Sequence, residues 1–161
     1  MLEIRKISKN EMRKALKLVW QTFLEYEAPY LTCKGVNEFK KTLGNIAWVE
    51  QRDFYGAFDE TGVLLGVVAT KCRTHIALFF VDSSHQRQGI GRKLLAKIKS
   101  LNERGFFTVN SSEYAHEIYK HLGFVDTSKK RYINGLKFYP MKWVFDKSHF
   151  EKFKGDKTHG T

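Results

Sequence analysis

The 161-residue chain is 42% hydrophobic and 14% aromatic, which excludes a disordered polymer and gives one domain enough apolar material for a core without staples. Its formal charge of +11 favours anionic ligands, and charge alone does not choose among nucleic acid, phosphorylated cofactors and acidic partners. The opening MLEIRKISKN lacks the layout of a secretion signal, and no apolar run approaches the roughly 18 residues of a membrane span, so a soluble, cytoplasmic protein with no membrane partner is expected. Cys33 and Cys72 stand far apart, outside any CxxC and away from clustered histidine or aspartate; they read as reduced thiols, one or both in the core, and no metal is expected.

Leu2 and Ile4 alternate with charged neighbours and predict a short first strand. Ser8 and Glu11 have capping-box spacing, and Met12, Ala15, Leu16, Val19, Trp20, Phe23 and Leu24 then recur at helical intervals, predicting a helix from about Lys9 to Tyr26, ended before Pro29. A second helix is predicted over Val36 to Leu43, between Gly35 and Gly44. From Ile46 the period changes to two, and the turn DETG separates WVEQRDFYGAF from VLLGVVATK as a hairpin. Ile76 to Val81 is apolar at every position, as expected of a central strand covered on both faces.

A helix from Gly89 to about Asn102, the short strand FFTVN and a helix from about Ser112 to His121, closed by Gly123, follow. Asn134-Gly135 then turns a final hairpin between FVDTSKKRYI and LKFYPMKWVF. This order describes one mixed α/β domain over residues 1–145, with a polar tail over 146–161 that is expected to be loosely ordered. The final hairpin offers an edge to a second copy, while its turn is equally accounted for in a monomer, so a homodimer stays open.

Between the apolar strand and the next helix lies HQRQGIGRKLL. A P-loop needs Gly-Lys followed by Ser or Thr, but Gly91 precedes Arg92 and Lys93; a dinucleotide fingerprint needs a small residue where Leu94 stands. Gln86, Gly89 and Gly91 fit a third pattern: Gln or Arg, two residues, Gly, one residue, then Gly or Ala. Unpaired N–H groups and the dipole at a helix start favour an anion, and two missing Cβ atoms let a pyrophosphate approach. Arg87, Arg92 and Lys93 add positive charge around that point.

With QRQGIGRKLL in place, and with AHEIYKHLGFV from Ala115 to Val125 one helix and one strand later, the chain resembles the GNAT superfamily of acyl-CoA-dependent N-acetyltransferases. The resemblance is detailed over about His75 to Val125. It implies a mixed, mostly antiparallel sheet of six or seven strands, splayed in the middle and flanked by about four helices. It also implies acetyl-CoA as the cofactor and direct transfer to a primary amine, from a small molecule or a peptide, in a ternary complex. In that family the backbone of Phe79, Phe80 and Val81 pairs with pantetheine, and the stretch Gln86, Arg87, Gln88, Gly89, Ile90, Gly91, Arg92 and Lys93 holds the pyrophosphate. Where relatives often carry Asn at the start of the next helix, this chain has Ser112, with Asn110 two residues earlier; both are candidate cofactor contacts.

Amide formation from a thioester needs a neutral amine, a stabilised oxyanion and a proton for the leaving thiolate. The resemblance implies Tyr119 as the general acid, also touching the cofactor, and His75 as a candidate general base, with a backbone N–H at Phe80 or Val81 for the oxyanion. Glu25 and Glu27, at the end of the first helix, are candidate acceptor-binding residues. His85, His116 and His121 suit surface positions and receive no role. Two other readings stay open: a silent acyl-CoA-binding or sensory module of the same fold, and a basic nucleic-acid-binding domain. The second is disfavoured because the basic cluster coincides with the cofactor motif.

Overall fold

In a computed structural model of the protein, which describes residues 1–148, β1 (Glu3–Lys6) runs antiparallel to β2 (Asp53–Phe58), and β3 (Leu64–Lys71) and β4 (His75–Val81) continue the meander. β5 (Phe106–Ser111) joins β4 in parallel, and β8 (Leu136–Val144) closes on β5 and carries the short β6 (Val125–Asp126) and β7 (Arg131–Ile133). The spatial order is β1-β2-β3-β4-β5-β8-β6, with β7 paired to β8. The mixed, mostly antiparallel sheet agrees with expectation, but it has eight strands among the described residues rather than six or seven. The extra strand arises because the first arm of the last hairpin is interrupted between Asp126 and Arg131, so its two pieces pair with different halves of β8. Most of the polar tail, beyond Ser148, lies outside the described residues.

Helices cover both faces. On one lie α1 (Met12–Tyr26) and α2 (Cys33–Gly44), whose apolar stripes bury Leu18, Val19, Phe23 and Leu43 with Phe54, Val67, Leu78 and Phe80. On the other, α4 (Ile90–Ser100) and α5 (His116–His121) pack Ile90, Leu94, Ile98 and Tyr119 against Val68, Ile76, Phe107 and Met141. Before α1, a 3-10 turn at Lys9–Glu11 carries the expected capping pair: Glu11 accepts from the Ser8 N–H at 3.1 Å, and Arg5 clasps the same carboxylate at 2.7 and 2.8 Å.

Three expectations are corrected. Ile46 to Glu50 is the short helix α3, not the start of a strand: Asn45 accepts from the Trp48 N–H at 3.1 Å and caps it, an N-cap signal hidden by the apolar run IAWV. Gly35 does not precede α2 but lies inside it. A Cβ there would run into the Gly135 carbonyl oxygen, so the tip of the last hairpin docks directly on the helix backbone. Cys33 and Cys72 are both exposed, so neither belongs to the core.

The detail that shapes the site is a β-bulge. Ala69 faces Leu78 but Thr70 faces Ile76, so Ala77 is an extra residue in β4. An unbroken strand would put Ile76, Leu78 and Phe80 on one face; instead Ile76 sides with Phe79 and Val81 toward α4 and α5, and Leu78 and Phe80 face α1 and α2. The expected burial on both faces is corrected as well, since His75, Ala77, Phe79 and Val81 are only half-buried.

Candidate active site

β4 and β5 stay together for two residue pairs, His75 with Thr108 and Ile76 with Val109, and then part. Beyond Ile76, β4 presents an open edge. The bulge decides which backbone groups occupy it. The Asp82 N–H donates to the Leu65 carbonyl at 2.8 Å, so by strand alternation Phe80 and Leu78 also direct their backbone groups to β3. Phe79 and Val81 therefore turn theirs into the gap. Phe80, expected to share this duty, is turned away; its ring instead reaches the site from the other face.

Two cavities meet in this gap. The larger, about 830 Å³, runs from the gap over the start of α4 and is lined by Val81, Gln86, Arg87, Gly89, Ile90, Gly91 and Arg92 among others. Gly89 is the N-cap of α4 with φ of +79°, a left-handed conformation that favours glycine. Gly91 has a different reason. Its φ is ordinary, and an added Cβ would make only van der Waals contact, 3.4 Å from the Phe79 ring, so nothing in the protein demands a glycine there. What a side chain would occupy is the cradle beside the free N–H groups of the helix start. Together with the two arginines, that open cradle fits the pyrophosphate of an acyl-CoA. The Gln86 amide donates to the Val81 carbonyl at 3.3 Å, tying the turn to the end of β4. Gln88 and Lys93 are exposed and line neither cavity.

The smaller cavity, about 350 Å³, lies on the other side of β4 and is walled by α2, α3 and the last hairpin, including Phe39, Trp48, Arg52, His75, Lys137 and Phe138. Asn110 and Ser112 line this cavity, not the larger one. The Ser112 hydroxyl is already committed, donating to Glu27 at 2.8 Å and accepting from the Ala115 N–H at 3.1 Å. His75 lies at the same end of β4, its Nδ1 2.8 Å from the Thr108 hydroxyl; burial, then the charges of Arg52 and Lys71, push its pKa down and favour the neutral ring.

Five residues line both cavities: Glu27, Phe79, Phe80, Ala115 and Tyr119. Tyr119 is 5% exposed, held edge-on by Phe124 at 5.2 Å, and burial raises its pKa, so the phenol keeps its proton. Gly123, with φ of +106°, ends α5 and lets the Phe124 N–H return to the Tyr119 carbonyl at 3.0 Å, which puts the Phe124 ring against the tyrosine. Glu27 closes the C-terminal end of α1, where the helix dipole also disfavours a carboxylate; desolvation, partly opposed by the Ser112 hydroxyl, pushes its pKa up to about 7. Glu25, one turn face away, is exposed and lines neither cavity.

Sequence pattern singles out neither Tyr114, which stacks on Tyr26 at 4.9 Å in the wall of the larger cavity, nor Arg52, which lines the smaller beside Trp48. His121 is exposed, as expected, and both it and the half-buried His85 line the larger cavity. Aromatic and basic residues are too common along this chain for local pattern to have singled these out.

A split sheet with a glycine turn at the mouth of the split defines an acyltransferase-like architecture. The family model described as "Acetyltransferase (GNAT) domain" matches residues 27–145, and the chain belongs to that family. Among solved structures, it is similar to a GCN5-related N-acetyltransferase from Rhodopseudomonas palustris, with a TM-score of 0.74 and 17% identity over 88% of this chain and 94% of that one. It is also similar to the PaiA N-acetyltransferase from Thermoplasma acidophilum in complex with coenzyme A, with a TM-score of 0.70 and 15% identity over 90% and 99% of the two chains. At such identities the structural likeness speaks for the fold. A search of curated proteins finds no match. Among the described residues no helix is long and apolar enough to cross a membrane.

Proposed function

We propose that the protein transfers an acetyl group from acetyl-CoA to a primary amine by direct attack, with the cofactor along the larger cavity and the amine in the smaller. The observation that carries this reading is the parting of β4 from β5 after Ile76, which opens Phe79 and Val81 toward the glycine turn at the same cleft. Acetyl-CoA supplies the activated thioester, and the coenzyme A bound by the Thermoplasma protein of the same fold supports that choice.

Gly89, Gly91, Arg87 and Arg92 hold the pyrophosphate. The backbone of Phe79 and Val81 aligns the pantetheine arm, and the Val81 N–H is the candidate oxyanion contact. Glu27, with a pKa of about 7 at the junction of the cavities, takes the proton from the incoming ammonium. It suits this task better than His75, which lies away from the junction of the cavities, where the charge of Arg52 reaches it. Tyr119 gives its phenolic proton to the departing sulfur, and the second proton that the nitrogen sheds on becoming an amide returns to the phenolate. The burial that raises its pKa also raises the basicity of a thiolate formed beside it, so transfer is less uphill than the phenol alone suggests.

The test is release of free thiol from acetyl-CoA in the presence of a broad panel of primary amines. Amine-dependent release that is lost in Tyr119→Phe supports the reading. No release with any amine, from a protein that binds acetyl-CoA, returns the silent binding module.

A further inference from the structure

Arg52 lines the smaller cavity with no ion-pair partner among the described residues, although two acids, Glu27 and Glu113, line the same cavity. Arg52, just after α3, stacks its guanidinium on Trp48 at 3.8 Å and donates from Nη1 to the Trp48 carbonyl at 2.7 Å. Its Nε is buried with no hydrogen-bond partner among the described residues. Burial lowers its pKa, and no acidic neighbour offsets that effect. The two acids that line the cavity are engaged elsewhere: Glu113 pairs with Lys130 at 2.9 Å, and Glu27 accepts from Ser112. A half-buried guanidinium held flat, with an unsatisfied donor and no counter-ion, is a costly arrangement unless a ligand completes it.

Position gives the ligand its direction. Glu27 belongs to both cavities, whereas Arg52 lines only the smaller one, at the end where its charge is felt by His75. His75 and Phe79 are four residues apart on β4, a span that the bulge at Ala77 keeps below about 13 Å. We propose that the acceptor is a small amine that also carries a carboxylate, bound with its amine toward Glu27 and its carboxylate on Arg52. This proposal rests on the acetyltransferase reading above and names the substrate class of that site.

The planar guanidinium fork suits a carboxylate, and the walls of Phe39, Trp48 and Phe138 suit an apolar body between the two charged ends. A protein of charge +11 also attracts an acceptor bearing an anion more readily than a polycation.

The experiment compares matched pairs by kcat/KM: L-phenylalanine with 2-phenylethylamine, and straight-chain ω-amino acids of two to six carbons with the corresponding alkylamines. O-phosphoethanolamine with ethanolamine serves as a further pair. At least one carboxylate pair should favour the amino acid by tenfold or more, and Arg52→Met should bring that ratio near one, while Arg52→Lys restores part of it. A purely structural Arg52 would instead lower both members of a pair together. Should Arg52→Met not fold, 3-phenylpropionate, which has no amine, should compete against the amine acceptor in the unaltered protein. Preference for the amine without a carboxylate, preference confined to the phosphate pair, or no competition by the carboxylate overturns the proposal. Acetyl-CoA binding measured on the same protein separates the two failures: binding with the wrong pair preference sinks only this inference, and absent binding sinks the acetyltransferase reading beneath it.

Discussion

Replacing Glu27 with glutamine should stabilise the protein at alkaline pH while removing most of its activity. The carboxyl group's pKa is raised from an ordinary 4.5 to about 7 by burial, so between those values the folded state holds a proton that the unfolded chain has lost. Stability therefore falls as pH rises through this window and is constant above it. At about 1.4 kcal/mol per pH unit, the full cost of ionising Glu27 in place is about 3 kcal/mol. Glutamine avoids that cost and still accepts from Ser112. In thermal unfolding, the difference in Tm between Glu27→Gln and the parent should be about 6 to 12 °C more positive at pH 8 than at pH 4.5, since other titrating groups cancel between the two proteins. Activity should move the opposite way. The parent's kcat/KM should fall on the acid side with an apparent pKa of about 7, and the variant should lose that limb along with about 10²-fold or more in rate. A Tm difference independent of pH would refute the desolvated carboxyl, and an unchanged acid limb would refute its role as base.

Tyr119→Phe should lower kcat about 10²-fold or more while leaving the stabilisation by acetyl-CoA intact, as read by thiol release and thermal unfolding. Gly91→Leu should fold with stability within about 1 kcal/mol of the parent, because a Cβ there meets only ordinary contacts, yet raise the KM for acetyl-CoA by tenfold or more. Gly35→Ala should cost about 1 to 3 kcal/mol in urea unfolding, since its Cβ meets the Gly135 backbone. Displacing the hairpin that carries Leu136, Lys137 and Phe138 should also raise the acceptor KM.

The parts of this protein that were legible in the sequence are those set by local backbone demand. The turn at Gly89 and Gly91 could be read because a helix start, a positive φ and an open cradle each leave a mark on residue choice within a few positions. Tyr119 was legible only through the resemblance of AHEIYKHLGFV to the family's helix; local backbone demand marks Gly123, the left-handed residue that ends α5, and not the tyrosine. The bulge at Ala77 left no such mark, because β4 is apolar on both sides of it and a slip of one residue preserves the pattern. Yet that bulge decides that Phe79 and Val81, not Phe80, face the gap. Arg52 was invisible for another reason: it follows a helix read as strand, and it reaches His75 only through tertiary packing. Glu27 was distinguished from Glu25 by one fact alone, the direction each takes as α1 ends.

The most direct measurement is a thermal-unfolding titration with acetyl-CoA beside adenosine 3′,5′-bisphosphate, which carries phosphate charge but no pantetheine arm for the gap. At about a hundred times its Kd, acetyl-CoA should add about 2.7 kcal/mol, a rise in Tm of about 5 to 10 °C, with a much smaller rise for the bisphosphate. Equal shifts from the two compounds, or none from either, would contradict the claim that the parted strands β4 and β5 hold the cofactor.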